Sequence, residues 1–379
     1  MKILMLSWEY PPLTVGGIAM HVRDLSQSLI KQGHEVHVLT QGANDSSEVV
    51  DGVNVHRVKT IFGPDTISWS MGLGHFMEKK ALQLFDKDSF DVVHAHDWMM
   101  VVPGQGIKSV FKTPFVFTVH STERGRVGIH DSNSNFINDL EWYGTYLSDQ
   151  VITVGRGIRD ELKHHFNVGE GKLNYVPNGV DYNKFSKPRK FERWRYASDD
   201  EQLLFFAGRM YHQKGVNHLL YAMPEIKKRF NAKLVLAGGG SVDHYKQMAW
   251  DLGVGDKSYF LGHVGSEDEL IGLYQNADAM IAPSVYEPFG LVALEAQSAG
   301  TPVVASHTGG FVDTIIHEHT GLHSWPAHAK SIADQTSRVL SNPEWGKEMG
   351  RNGQKRAQKV FSWDKTAKKT MLVYENCFK

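Results

Sequence analysis

The sequence predicts an α/β protein built as two doubly wound domains, and three observations carry that prediction. Its 379 residues exceed what one ordinary core holds, so two domains are expected. Short apolar runs alternate with segments whose apolar residues recur at helical spacing, in two successive series. A basic stretch containing Pro188 lies between the two series. Strands separated by helical patterns make βαβ units and a parallel sheet. Such sheets bind ligands at the carboxyl ends of their strands.

The first series opens with the strand Lys2–Leu6 and a loop bearing Gly16 and Gly17. A helix follows from about Ile18 to Gly33, with Met20, Val22, Leu25, Leu29 and Ile30 near helical spacing and Gly33 as its C-cap. Val36–Thr40, Val53–Val58, Asp91–Ala95, Phe115–Val119, Gln150–Val154 and Lys172–Val176 read as further strands. Asn183–Asp200, with Lys184, Lys187, Arg189, Lys190, Arg193 and Arg195, reads as an exposed connection. The second series has strands at Leu203–Ala207, Lys233–Ala237, Tyr259–Leu261, Ala279–Ala282 and Pro302–Ala305. Its helices cover about Val216–Arg229, His244–Leu252, Glu267–Gln275 and Leu291–Gly300. A helix of mixed charge, about Asp364–Phe378, ends the chain. The expected boundaries are 1–182 for the first domain, 183–201 for the linker, 202–360 for the second domain and 361–379 for the last helix.

Composition narrows the function. The 41 basic and 42 acidic residues leave a net charge of -1, against the basic excess of a nucleic-acid binder. A single cysteine, Cys377, excludes an internal disulfide framework and a cysteine-rich zinc site, and fits a reducing cytoplasm. The apolar start Met1–Leu6 is too short for a signal peptide, and no stretch approaches the ~18 apolar residues of a membrane span.

The most specific stretch is Glu287-Pro-Phe-Gly-Leu-Val-Ala-Leu-Glu295. Pro288, Phe289, Gly290 and Leu291 open a helix with unpaired backbone N–H groups, a ready anion site. A carboxylate on either side suits a ligand with hydroxyls at both ends and phosphate in the middle, the layout of a nucleotide-sugar. Arg209 and Lys214 lie on the loop after the first strand of the second series, where two fixed cations can clamp a diphosphate or simply be solvated. Gly16-Gly17 and Gly238-Gly239 at strand ends allow close backbone approach to a phosphate, or only a tight turn. His120 ends a strand, where histidines often cap or pack. His94 and His96 share a strand face before Asp97, so a metal pair has to be weighed, but no third ligand motif accompanies them.

These motifs together resemble glycosyltransferase family four, glycogen-synthase-like branch, nearly end to end. The resemblance rests on the Glu287/Glu295 pair, Arg209 and Lys214, the Gly-Gly loop, His-Asp-Trp at 96–98, His120-Ser-Thr-Glu-Arg-Gly-Arg and Pro177-Asn-Gly-Val-Asp. It implies the GT-B fold: two doubly wound Rossmann-like domains with a cleft between them, and a C-terminal helix crossing back to the first. It implies a retaining glycosyltransferase that moves a hexose, glucose first, from ADP- or UDP-glucose to a carbohydrate acceptor such as an α-glucan. The implied catalytic set is His120, Glu287, Arg209 and Lys214. The implied donor contacts are Gly16, Gly17, Gly238, Gly239, Phe289, Gly290, Leu291 and Glu295, with Asp97 on the acceptor side. No cofactor and no metal are implied. Glycogen and starch synthases carry a lysine just before the Gly-Gly loop, where this chain has Leu13-Thr14-Val15. A transferase for a cell-surface polysaccharide, glycolipid or coat component is the second reading. The candidate helix Trp69–Phe85 has only Lys79-Lys80 as a basic face, which gives its lipid-acceptor form little support. A non-catalytic nucleotide-sugar-binding protein of the same fold is the third, and loss of Lys214 or Glu287 would mark it.

Overall fold

The structure is a computed structural model and describes residues 1–61 and 63–379. The chain divides into two compact units, Met1–Gly179 with Trp363–Lys379, and Val180–Ser362.

The first unit runs β1 (Lys2–Leu6), α1 (Gly17–Lys31), β2 (Glu35–Gly42), β3 (Ser46–Val50), β4 (Val53–Lys59), α2 (Thr66–Phe85), β5 (Val92–His96) and α3 (Val101–Phe111). It continues β6 (Phe115–Val119), α4 (Glu123–Arg126), α5 (Ser132–Leu147), β7 (Gln150–Thr153), α6 (Arg156–Phe166) and β8 (Leu173–Tyr175). The strands form one sheet in the order β3-β4-β2-β1-β5-β6-β7-β8, parallel except for the β3–β4 pair. The chain winds outward from β1 in both directions, so the crevice at the ends of β1 and β5 is the topological switch point. The inner strands β5 and β6 are buried along their whole length, so β6 reads as a nearly continuous apolar run, while β5 carries His94 and His96 into the buried sheet.

The second unit runs α7 (Tyr182–Ser186), β9 (Gln202–Ala207), α8 (Val216–Arg229), β10 (Ala232–Ala237), α9 (Val242–Asp251), β11 (Ser258–Gly262), α10 (Glu267–Asn276) and β12 (Ala279–Ala282). It continues α11 (Leu291–Ala299), β13 (Val303–Ser306), α12 (Phe311–Thr314), β14 (Leu322–Ser324), α13 (Ala329–Ser341) and α14 (Pro343–Val360). Its six strands are all parallel, in the order β11-β10-β9-β12-β13-β14, with the switch at β9. The core packs Leu204, Phe206, Leu234 and Leu236 of the sheet against Val216, Leu219 and Met223 of α8 and Ile332 of α13.

The last helix, α15 (Trp363–Asn376), belongs to the first unit and lies on α1. Its Ala367, Met371, Val373 and Tyr374 join the core formed by Ile3, Met5, Val22 and Leu25. The doubly wound architecture and the returning helix follow the expectation. The segment 183–200 does not behave as a free connection. Its residues pack onto the second unit: Phe185 and Tyr196 are buried, Gln275 Nε2 donates to the Phe185 and Lys187 carbonyls at 2.7 Å each, and Arg189 pairs with Asp268 at 3.0 Å. Its charges hide two apolar anchors, Phe185 and Tyr196, and the chain passes from one unit to the other at Gly179/Val180. Among the described residues, no helix is long and apolar enough to cross a membrane.

Candidate active site

In the second unit the candidate side chains come from the loops after β9, β10 and β12 and the start of α11. Lys214 Nζ donates to Glu287 Oε2 at 2.9 Å, and Ser284 Oγ donates to the same oxygen at 3.1 Å. The two loops are joined and closely fitted: Val285 N–H donates to the Gln213 carbonyl at 2.8 Å, and at Gly215 the backbones approach so closely that a Cβ would stand 2.0 Å from the Pro283 carbonyl oxygen. Glu287 is buried, so the ion pair is little screened. Arg209 is exposed and lies 5.6 Å from the Tyr211 ring centroid.

Gly290 takes φ +92 as the N-cap of α11, a left-handed conformation that suits glycine, and a Cβ there would collide with the Phe311 ring. Gly290 offers no side chain to cap α11, and the Ala293 N–H turns back to the Gly290 carbonyl at 3.0 Å, which leaves the Leu291 and Val292 N–H groups at the open end of the helix. Glu295 lies one turn further along, its carboxylate accepting from the buried Tyr274 hydroxyl at 2.7 Å. Burial raises the Glu295 carboxyl above its ordinary range, while Tyr274 and the Lys184 charge pull it back. The triplet 238–240 packs tightly against the Arg209 loop: Met210 N–H donates to the Gly239 carbonyl at 2.7 Å, and a Cβ on Gly238 would meet the Gly208 carbonyl oxygen at 1.9 Å. Only Gly239 has open space around its Cβ direction.

In the first unit, Glu9 organises the Gly-Gly loop. Its buried carboxylate accepts from the N–H groups of Val15 at 2.6 Å, Gly16 at 2.8 Å and Ala19 at 3.2 Å. The Gly16 amide, expected to face a phosphate, is therefore committed to an internal anion at the start of α1. His120 stands at the end of β6, with Nε2 3.2 Å from His96 Nδ1. Burial holds both imidazoles well below the usual histidine range, so both are neutral near pH 7.

Asp97, at φ +68, sits in a left-handed backbone position that a non-glycine residue rarely takes, beside a buried acidic group. Glu141, fully buried, accepts from the Glu123 N–H at 2.8 Å, and Arg126 donates to Glu123 at 2.5 Å. Burial raises the Asp97 carboxyl, opposed chiefly by the Arg126 charge, and raises Glu141 far more strongly.

The structure thus gathers Lys214, Glu287, Phe289, Gly290, Leu291 and Glu295 around the first turn of α11, and brings His120 next to His96. The His94/His96 metal pair is not formed as the strand alternation allowed. Both nitrogens of His94 are engaged, Nδ1 with the Tyr374 hydroxyl at 2.7 Å and Nε2 with Thr118 Oγ1 at 2.6 Å, so His94 is structural. Residues that the sequence reading missed include Glu9, Tyr274, Ser284 and the pair Gly309-Gly310. The two glycines are fitted against the Glu287–Leu291 turn: Gly310 N–H donates to the Glu287 carbonyl at 2.8 Å, and a Cβ on Gly310 would lie 2.2 Å from Phe289 Cα. A double glycine after β13, in the position that Gly16-Gly17 holds after β1, was the available signal.

Residues 188–356 match the family described as glycosyl transferases group 1, and residues 15–184 match glycosyltransferase family 4. The chain is 42% identical over 384 residues to an uncharacterised glycosyltransferase of Methanocaldococcus jannaschii, covering 99% of this chain and 98% of that protein. It is 32% identical over 405 residues to the glycogen synthase of Mycobacterium tuberculosis, covering 99% and 94%. Among solved structures, sucrose-phosphate synthase from Thermosynechococcus elongatus superposes with a TM-score of 0.85 at 24% identity, covering 100% of this chain and 99% of that one. With sequence likeness running the length of both units and the fold matching throughout, the chain belongs to the GT-B glycosyltransferases of family four and is a glycosyltransferase related to the glycogen synthases.

Proposed function

We propose that the protein transfers glucose, with retention of configuration, from ADP- or UDP-glucose to an α-glucan or similar carbohydrate acceptor. The observation that carries this reading is the arrangement around α11: a cation-paired carboxylate, Glu287, before a helix start that its N-cap Gly290 leaves without a side-chain cap, and a second carboxylate, Glu295, one turn beyond. In this reading Glu295 takes the ribose hydroxyls, a charged hydrogen bond worth roughly 1.5–3 kcal/mol. Arg209 and Lys214 hold the diphosphate with the amides of Phe289–Leu291 and Gly17, and Gly239 approaches the nucleotide. Glu287 binds the sugar hydroxyls, and His120 lines the reacting face as a neutral hydrogen-bonding group. Asp97 serves the acceptor.

No side chain is placed as a covalent nucleophile. The acceptor hydroxyl attacks the anomeric carbon on the face that the diphosphate leaves, and the departing phosphate oxygen takes the hydroxyl proton. Negative charge then grows on the leaving diphosphate, where fixed cations are most effective. Arg209 and Lys214 supply that charge in place of a metal, so transfer is expected to survive EDTA. Kinship with glycogen synthase supports the glucose and glucan assignment. The test is a screen of ADP-, UDP- and GDP-sugars with glucan primers. Turnover with an ADP- or UDP-glucose donor is expected, and a clear preference for another sugar would replace this assignment.

A further inference from the structure

Three histidines converge in the first unit from three different elements, and the proposed transfer uses only one of them. His21 comes from α1, His96 from the end of β5 and His120 from the residue after β6. One ring nitrogen of each lies within 4.8 Å of those of the other two. His96 Nδ1 and His120 Nε2 are 3.2 Å apart. That matches the ~3.3 Å edge of a tetrahedron whose metal–nitrogen bonds are about 2.0–2.1 Å long.

His21 is already set as a ligand. Its Nδ1 lies 2.9 Å from Asn178 Oδ1, an oxygen that can only accept, so the proton is on Nδ1 and the lone pair on Nε2. That Nε2 is buried and has no hydrogen-bond partner, and the ring is 4% exposed. A buried acceptor with no donor loses its hydration without replacement, and a bound cation would relieve that loss. His120, only partly exposed, provides the approach from solvent. Three imidazoles and no carboxylate select a borderline ion such as Zn²⁺ over Mg²⁺ or Ca²⁺.

We propose that His21, His96 and His120 form a tri-histidine site for Zn²⁺ or a similar divalent ion, and that filling it shuts off the sugar-facing side of His120. The ion is then an inhibitor, not a cofactor. The inhibitory clause rests on the reading of His120 as lining the donor sugar; the binding clause does not.

The full-length protein, stripped with EDTA and exchanged into chelator-free buffer, would be titrated with Co²⁺. One equivalent should produce the intense visible absorption of four-coordinate cobalt, and Zn²⁺ should bleach it. His21→Gln and His120→Ala, each checked for folding by circular dichroism, should lose the band. His317→Ala should keep it, although His317 stacks on His323 in another histidine group of the protein. A weak six-coordinate spectrum, or a band that survives in both site variants, would overturn the proposal. Zn²⁺ at about ten times its dissociation constant should raise the apparent KM for the donor about tenfold, an effect relieved in His21→Gln. An unchanged KM with the site demonstrably filled would remove the inhibitory clause. Failure of the glucosyl-transfer reading would show as no turnover with any glucose donor while the cobalt spectra stood, so the two failures are distinguishable.

Discussion

Lys214 and Glu287 act on each other before either meets a substrate. The 2.9 Å pair is mostly buried, so removing the lysine takes away the cation proposed to face the leaving group and strands a carboxylate. Lys214→Ala should therefore lower turnover by about 10²–10³ with folding intact, and Arg209→Ala should behave alike, as single-turnover kinetics would show. Near-full turnover in either variant would remove the clamp. Glu295→Ala should weaken binding of free nucleoside diphosphate, while Glu287→Ala should mainly reduce turnover with the intact donor. Calorimetric titration giving the reverse pattern would exchange the two roles. Tyr274→Phe tests how Glu295 is aimed: losing one hydrogen bond to a carboxylate should cost nucleotide affinity by about tenfold, with the protein otherwise folded. Glu287 and Glu295 were legible because their spacing and the Pro-Phe-Gly turn carry chemistry in one short window. Tyr274 was not, because it reaches Glu295 from α10, and a buried tyrosine in a helix reads as core.

At the scale of elements, glycines report how tightly the loops are fitted. Gly310→Ala would push a Cβ to 2.2 Å from Phe289 Cα and displace the turn that presents Glu287, so both thermal stability and turnover should fall, stability by about 1–3 kcal/mol. Gly239→Ala meets no atom within 4 Å. Its stability should stay within about 0.5 kcal/mol of the parent. A raised donor KM in Gly239→Ala would support nucleotide approach there, and an unchanged KM would leave the triplet as a turn that seats the Arg209 loop.

The edge of the first sheet holds a pH-sensitive pair. His56 is buried, with Nε2 2.9 Å from His37 Nδ1, and burial together with the His37 charge holds it down at about 4. Below pH 6.5 the unfolded chain takes a proton that folded His56 refuses until about pH 4. The unfolded state holds more protons across that window, so stability falls as the pH drops through it, by up to about 3 kcal/mol. Urea unfolding at pH 7 and pH 4.5 should show a smaller acid loss in His56→Val than in the parent. Equal losses would show that His56 is not the group responsible. The strand β3, which pairs antiparallel with β4 beside this pair, escaped the sequence reading because Ser46–Val50 is mostly exposed and carries almost no burial pattern.

At the scale of the molecule, the two units differ in how the chain closes them. The second is one continuous segment, whereas the first needs α15 to complete its core. Truncation after Ser362 would remove Met371, Val373 and Tyr374 from that core, each worth roughly 1.5–3 kcal/mol of burial, together with the Tyr374 bond to His94. Calorimetry of the truncated chain should show the first unit's transition lost or sharply lowered and the second unit's retained. Loss of both together would mean that the units do not fold independently. The doubly wound pattern and the returning helix were legible because buried parallel strands and an amphipathic end leave periodic traces. The crossing point at Gly179/Val180 was not, since the charged stretch after it looked solvated while anchoring Phe185 and Tyr196.

The central claim, that the α11 carboxylates and the Arg209/Lys214 cations serve metal-free retaining transfer of glucose, is tested most directly by product analysis. Wild type and Lys214→Ala would be incubated in EDTA with ADP- or UDP-glucose and a glucan primer, and the new linkage read by proton NMR. The account predicts an α-linked glucosyl product from wild type and a product rate about 10²–10³ lower from the variant. A β-linked product, or transfer that appears only when a divalent metal is restored, would contradict it.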